Sequence, residues 1–107
     1  MLTEQKVECQ VSFLRDGAGD SSLEIKGALV HLFQHEYDSK TVFWYGVTEL
    51  SISDNEFGAI LQIPHHSRRI RFFLPDARHG TAIMLNAEQR GLVYRLSFIG
   101  ITQLCAD

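Results

Sequence analysis

The sequence predicts an all-β fold, a single-domain antiparallel sandwich or partly closed barrel of about seven or eight strands. Three observations carry that expectation. Apolar and polar residues alternate with a period of two along most of the chain, turn signals recur about every ten residues, and no segment sustains a 3.6-residue period over the length of an ordinary helix. With 107 residues, 45% hydrophobic and 21% charged, the chain has the composition of one globular domain. At that length it buries roughly 65% of its unfolded surface, enough for a core without metal or disulfide staples.

Val7, Cys9, Val11 and Phe13 alternate with Glu8, Gln10 and Ser12, as in a half-buried strand. Arg15 to Ser22 holds two Gly and nothing apolar larger than Ala, so a loop is expected there. Leu23 to Gln34 alternates at first and then becomes apolar on both faces from Ala28 to Phe33, the pattern of a central or doubly covered strand. His35 to Lys40 reads as a polar turn. The β-prone run Thr41 to Ser53 follows, with Gly46 marking a bulge or a barrel corner.

Ser53 to Glu56 is expected as a turn, Ala59 to Ile63 as a short strand, Pro64 to Ser67 as a turn, Arg69 to Leu74 as a strand and Pro75 to Gly80 as a turn. Thr81 to Leu85 is a further strand. Asn86 to Gly91 is a loop in which Asn86 to Arg90 could make one helical turn, N-capped by Asn86 and stopped by Gly91. In the final strand, Leu92 to Ile101, Leu92, Tyr94, Leu96 and Phe98 share a face. The expected core comprises Val11, Phe13, Ile25, Leu32, Leu50, Ile52, Leu96 and Phe98.

Charge and motif content narrow the function classes. The net charge is −3, but residues 1–60 carry −6 and residues 61–107 carry +3. An acidic protein is a poor general nucleic-acid binder, because phosphate contacts supply most non-specific affinity. Residues 1–8 are too polar for a signal peptide or a membrane span, so a cytoplasmic protein without membrane contact is expected. Cys9 and Cys105 stand 96 positions apart, which excludes a cysteine metal cluster and reads as two buried thiols.

His31 and His35 share a strand face yet lie about 13 Å apart, too far for one ion, and His65 and His66 would point to opposite faces of a strand. No metal or cofactor is expected. No Gly-x-Ser-x-Gly elbow, activated cysteine or phosphate-cradling glycine loop is present, and Glu49, Asp54 and Glu56 read as solvated acids, so catalysis is not expected either.

Two clusters remain as candidate sites. Glu36, Tyr37 and Asp38, then Asp54, Asn55 and Glu56, occupy turns flanking the aromatic run that contains Trp44, a composition suited to a basic protein partner. His65, His66, Arg68, Arg69 and Arg71 gather basic groups at a turn entering a strand, where guanidinium forks suit a small anionic ligand.

The run Val42-Phe43-Trp44-Tyr45-Gly46-Val47-Thr48-Glu49-Leu50-Ser51-Ile52, preceded by Val30-His31-Leu32-Phe33, resembles the small β-rich immunity proteins that bacteria encode beside polymorphic toxins. That resemblance implies a non-enzymatic inhibitor that masks a cognate toxin. A second resemblance rests on Ser53-x-Asn55-x-x-Gly58-Ala59, a degenerate form of the Asp/Asn-x-Ser-x-x-Gly pattern of PilZ domains, and on Tyr94-Arg95-Leu96-Ser97-Phe98-Ile99-Gly100-Ile101, which is similar to their closing strand. It implies a β-barrel and a cyclic di-GMP ligand, although the paired N-terminal arginines of that family are missing. The expected function is therefore a protein-binding module of the immunity or inhibitor type, with an anion- or nucleotide-binding regulator as the alternative.

Overall fold

The computed structural model describes residues 1–15, 20–38, 40–61 and 69–106. Among these residues the chain forms β1 (Leu2–Arg15), β2 (Asp20–Tyr37), β3 (Lys40–Leu50), α1 (Asp54–Leu61), β4 (Arg69–Phe73), β5 (His79–Arg90) and β6 (Val93–Gly100). All pairings are antiparallel, in the order β1-β2-β3-β6-β5-β4, with β4 returning to β1. The all-β expectation is met by a single sheet closed into a barrel, not by two sheets in a sandwich.

The strand count is six among the described residues, below the expected seven or eight, for two physical reasons. The described part of the expected strand Ala59 to Ile63, residues 59–61, belongs instead to helix α1. Gly46 does not split β3 either: pairing to β2 runs through Leu32↔Gly46 without a register shift. Gly46 is required instead for close approach, since a Cβ there would overlap the carbonyl oxygen of His31 on the neighbouring strand.

Closure depends on a bulge. The β1–β2 register shifts between Cys9 and Val11, opposite Gly27, whose φ of 72° favours glycine. From there Gln10 pairs with β4 and Val11 to Leu14 with both β4 and β2, whereas Leu2 to Cys9 pairs with β2 alone among the described strands. β1 is thus a barrel stave in its second half and the outer strand of a ribbon in its first.

Period-two alternation sends Val11, Phe13, Leu32, Leu50, Leu96 and Phe98 into the barrel, where all six are buried. Ile25 and Ile52 lie nearer the barrel ends and are half-buried against the same core. Trp44 is the largest core side chain. Its ring packs edge-on against Phe72 and Phe98, with centroids 5.8 and 5.9 Å away, and its Nε1–H donates to the Thr102 carbonyl oxygen at 2.7 Å. Gly80 and Gly100 make room for the ring, for a Cβ at either would meet it.

Helix α1 begins in a capping box. The Glu56 backbone N–H donates to Ser53 Oγ at 3.1 Å, and the Ser53 N–H donates back to Glu56 Oε1 at 3.0 Å. The helix docks by stacking Phe57 on Tyr94, with ring centroids 3.9 Å apart, and by burying Ile60 in the core. The Tyr94 hydroxyl donates to Asp54, and this hydrogen bond, followed by desolvation, holds the phenol above its ordinary pKa.

Asn86 to Arg90 is neither a loop nor a helical turn. These residues extend β5 past a bulge between Met84 and Asn86 as far as the pair Arg90↔Val93. The turn is Gly91-Leu92, with Gly91 at φ 63° and Leu92 fully out in solvent, so Leu92 does not share the buried face of Tyr94, Leu96 and Phe98.

Candidate aromatic binding face

Strand parity builds the site. On β2, Val30, Leu32 and Gln34 point inward and are buried, which sends His31, Phe33 and His35 outward. On β3, Trp44, Gly46 and Thr48 point inward, which sends Phe43, Tyr45 and Val47 outward. The register Phe33↔Tyr45 and His35↔Phe43 places these rings side by side. Phe33 and Tyr45 stack nearly parallel with centroids 5.2 Å apart, Phe43 lies 5.4 Å from both Tyr45 and His35, and His31 lies 4.6 Å from Phe33.

The face continues onto β6 through Ile99, which pairs with Tyr45, and onto β5 through Leu85. Phe33, His35, Phe43, Tyr45, Leu85 and Ile99 line an open groove of about 570 Å³. Phe43 and Leu85 stay 42% and 54% exposed, and Tyr37, at the end of the β2–β3 hairpin, 77%. The doubly apolar pattern of Ala28 to Phe33 thus has a physical cause: one face fills the barrel, and no described element covers the rings on the other.

The acidic candidates do not converge. Glu36 is half-buried and exchanges backbone hydrogen bonds with Met1, while Tyr37 and the left-handed Asp38 (φ 53°) protrude at the hairpin turn. Asp54, Asn55 and Glu56 lie at the opposite end of β3, roughly 33 Å along an 11-residue strand. Asp54 and Glu56 serve the helix, one accepting from Tyr94 and the other closing the capping box, and Asn55 is exposed beside them. Trp44, expected at the partner surface, is 1% exposed and belongs to the core.

Of the basic candidates, His65, His66 and Arg68 lie outside the described residues. Arg69 and Arg71 both point outward from β4, opposite Ile83 and Thr81 of β5. Arg71 borders a second groove, of about 440 Å³, with Thr81 and Thr102. Arg78 turns under the barrel: it donates to Asp76 Oδ2 at 2.8 Å and to Gln34 Oε1 at 2.5 Å, and Thr41 donates to the same Gln34 oxygen at 3.3 Å. Desolvation raises the Asp76 carboxyl, but the hydrogen bonds and charge of Arg78 outweigh it and bring the group below its ordinary pKa.

Cys9 is buried near this network, whereas Cys105 is only half-buried, and both thiols are free. Burial, reinforced by the Asp76 charge and opposed by Arg78, pushes the Cys9 thiol from 9.0 up to about 11. A pKa raised on folding gives stability that is complete below the unfolded value and lost as pH rises through the folded one. The melting temperature is therefore expected to fall between pH 9 and about 11 through this thiol, by the equivalent of roughly 2 to 3 kcal/mol. Comparing thermal melts across that range with those of Cys9→Ala, which should lack this component, checks the assignment.

The outward set lies outside the two clusters expected from the sequence. Aromatic or imidazole side chains at 31, 33 and 35, then at 43 and 45, repeat with period two on consecutive strands, which is the signal that identifies them. No helix among the described residues is long and apolar enough to cross a membrane. Comparisons with family models, with curated proteins and with solved structures return no match.

Proposed function

We propose that the chain is a non-enzymatic binding module that engages another protein through the outer aromatic face of β2, β3 and β6, masking that partner as an inhibitor or immunity protein would. One observation carries the reading: Phe33, Phe43 and Tyr45, with His31 and His35, form a contiguous ring cluster outside a barrel whose core is already filled. Such a cluster adds only about 0.2 to 1 kcal/mol per cross-strand pair to the monomer, whereas aromatic anchors dominate binding energy at protein interfaces. The exposed Tyr37 and Asp38 extend one end of the face, and the −6 charge of residues 1–60 favours a basic partner, such as a toxin.

Photocrosslinking in the source cell tests the reading. A benzophenone amino acid at position 43 or 45 should capture one protein, and the same probe at position 92, exposed at the β5–β6 turn, should not. Equal capture at all three positions would remove the assignment.

A second reading, an anion-binding regulator of the PilZ-like kind, draws support from Arg71 beside the hydroxyls of Thr81 and Thr102. Calorimetry with cyclic di-GMP separates it, since a protein-binding module should give no heat.

A further inference from the structure

We infer that two copies of the chain pair through the free edge of β1, antiparallel and about a two-fold axis at Gln5, to form one continuous sheet. The inference is independent of the proposed partner face. Among the described residues, Leu2 to Cys9 has β2 on one side only, and β4 meets β1 solely at Gln10 to Leu14. The chain leaving residues 62–68 enters β4 at Arg69, opposite Leu14 and so at the far end of β1.

The hydrogen-bonding parity of this edge is fixed by the first pair of the ladder. The Met1 amine donates to the Glu36 carbonyl and the Glu36 N–H donates to the Met1 carbonyl, both at 2.8 Å. Pairs alternate along an antiparallel ladder, so Thr3, Gln5 and Val7 bond to β2, and the N–H and C=O groups of Leu2, Glu4, Lys6 and Glu8 point away from it. The register runs unbroken from Leu2↔His35 to Cys9↔Ala28, with neither proline nor bulge, the usual devices that blunt an edge.

A second copy of β1 must present its own even-numbered residues to bond there. Centring the axis on Lys6 would oppose Lys6 to Lys6 and Glu4 to Glu8, like against like. Centring it on Gln5 opposes Glu4 to Lys6 of the other copy, twice by symmetry, and Leu2 to Glu8, using the whole run from Leu2 to Glu8. Glu4, Lys6 and Glu8 are all exposed, on the same side as Phe33 and His31, so pairing would set the two aromatic faces side by side. Lysine on an edge usually deters association; here alternation with glutamate makes the edge complementary to itself in one register.

Sedimentation of the full chain from low to high micromolar concentration should show a monomer–dimer equilibrium. Lys6→Pro removes a donor that β2 does not use, so it should abolish the dimer while preserving the circular dichroism spectrum and the melting temperature. Lys6→Glu should raise the dimer dissociation constant about tenfold or more, and the exchange Glu4→Lys with Lys6→Glu should restore it.

The register has its own readout. In a Cys105→Ser background, Gln5→Cys should oxidise to a covalent dimer, because a non-hydrogen-bonded antiparallel pair holds its Cα atoms about 4.5 Å apart, within disulfide range. Val7→Cys, opposite Thr3, should not. A chain monomeric at every concentration, or a dimer indifferent to both Lys6→Pro and Lys6→Glu, overturns the inference.

Discussion

Trp44→Ala is expected to cost about 3 to 5 kcal/mol, the range for removing a large aromatic side chain from a packed core. The ring fills the space beside Gly80 and Gly100, touches Phe72 and Phe98 edge-on, and donates to Thr102 at the turn after β6. Its removal leaves a cavity and takes away one of the bonds that hold the carboxyl-terminal segment, which also bridges to Thr41 through Leu104 and to His79 through Cys105. Against a total stability of roughly 5 to 15 kcal/mol for a domain of this kind, the variant should lose at least about a fifth of its stability. Urea titration followed by far-ultraviolet circular dichroism measures the loss. Trp44→Phe should recover most of it, since the hydrogen bond alone is worth about 1 kcal/mol.

Gly46→Ala should be nearly as damaging despite adding a single methyl group. The new Cβ would overlap the backbone oxygen of His31 and crowd the Phe98 ring. A backbone atom in the β2–β3 ladder cannot swing aside as a side chain can, so the strands must part at the centre of the barrel. Overpacking of this kind typically costs about 1 to 3 kcal/mol, and the backbone clash places this substitution at or above the top of that range. A fall in melting temperature of about 10 °C or more is the expected readout. Gly58→Ala, in α1 with open space around the added methyl, should be neutral or mildly stabilising and serves as the control.

What the sequence disclosed about the fold is its inward face. Alternation placed Val11, Phe13, Leu32, Leu50, Leu96 and Phe98 correctly because each sits on a strand with one side in the core. Sheet closure was not legible, since it depends on β4 meeting Gln10 to Leu14, a long-range pairing that no local pattern encodes. The helix was legible but overlooked: Ser53-x-x-Glu56 is a capping-box spacing, and reading it as a turn turned the helix that follows into an expected strand. The polar run Asn86 to Arg90 resembled a loop because, on that part of β5, no side chain is fully buried.

The site was legible through parity in the same way. If Leu50 points inward, then so do Thr48, Gly46 and Trp44, which leaves Phe43 and Tyr45 outside. Trp44, the largest ring in its run, fills the core, and its neighbours Phe43 and Tyr45 take the outward positions. Asp54 and Glu56 are exposed, as solvated acids should be; the Glu56 bond follows from the capping-box spacing, whereas the Tyr94–Asp54 bond joins residues 40 positions apart, which no local pattern encodes.

The claim that the outer rings, and not the acidic turns, carry partner binding is tested most directly by Phe43→Ser combined with Tyr45→Ser. Both side chains face outward from a barrel whose core they do not enter, so the fold should persist, with stability lowered only by the lost cross-strand ring pairs, about 0.2 to 1 kcal/mol each. Affinity for the crosslinked partner, measured by calorimetry, should fall about 1,000-fold, as when two anchors of about 2 kcal/mol each are removed. Affinity that survives this double substitution, with the fold intact, would contradict the account and move the binding surface off the β2–β3–β6 face.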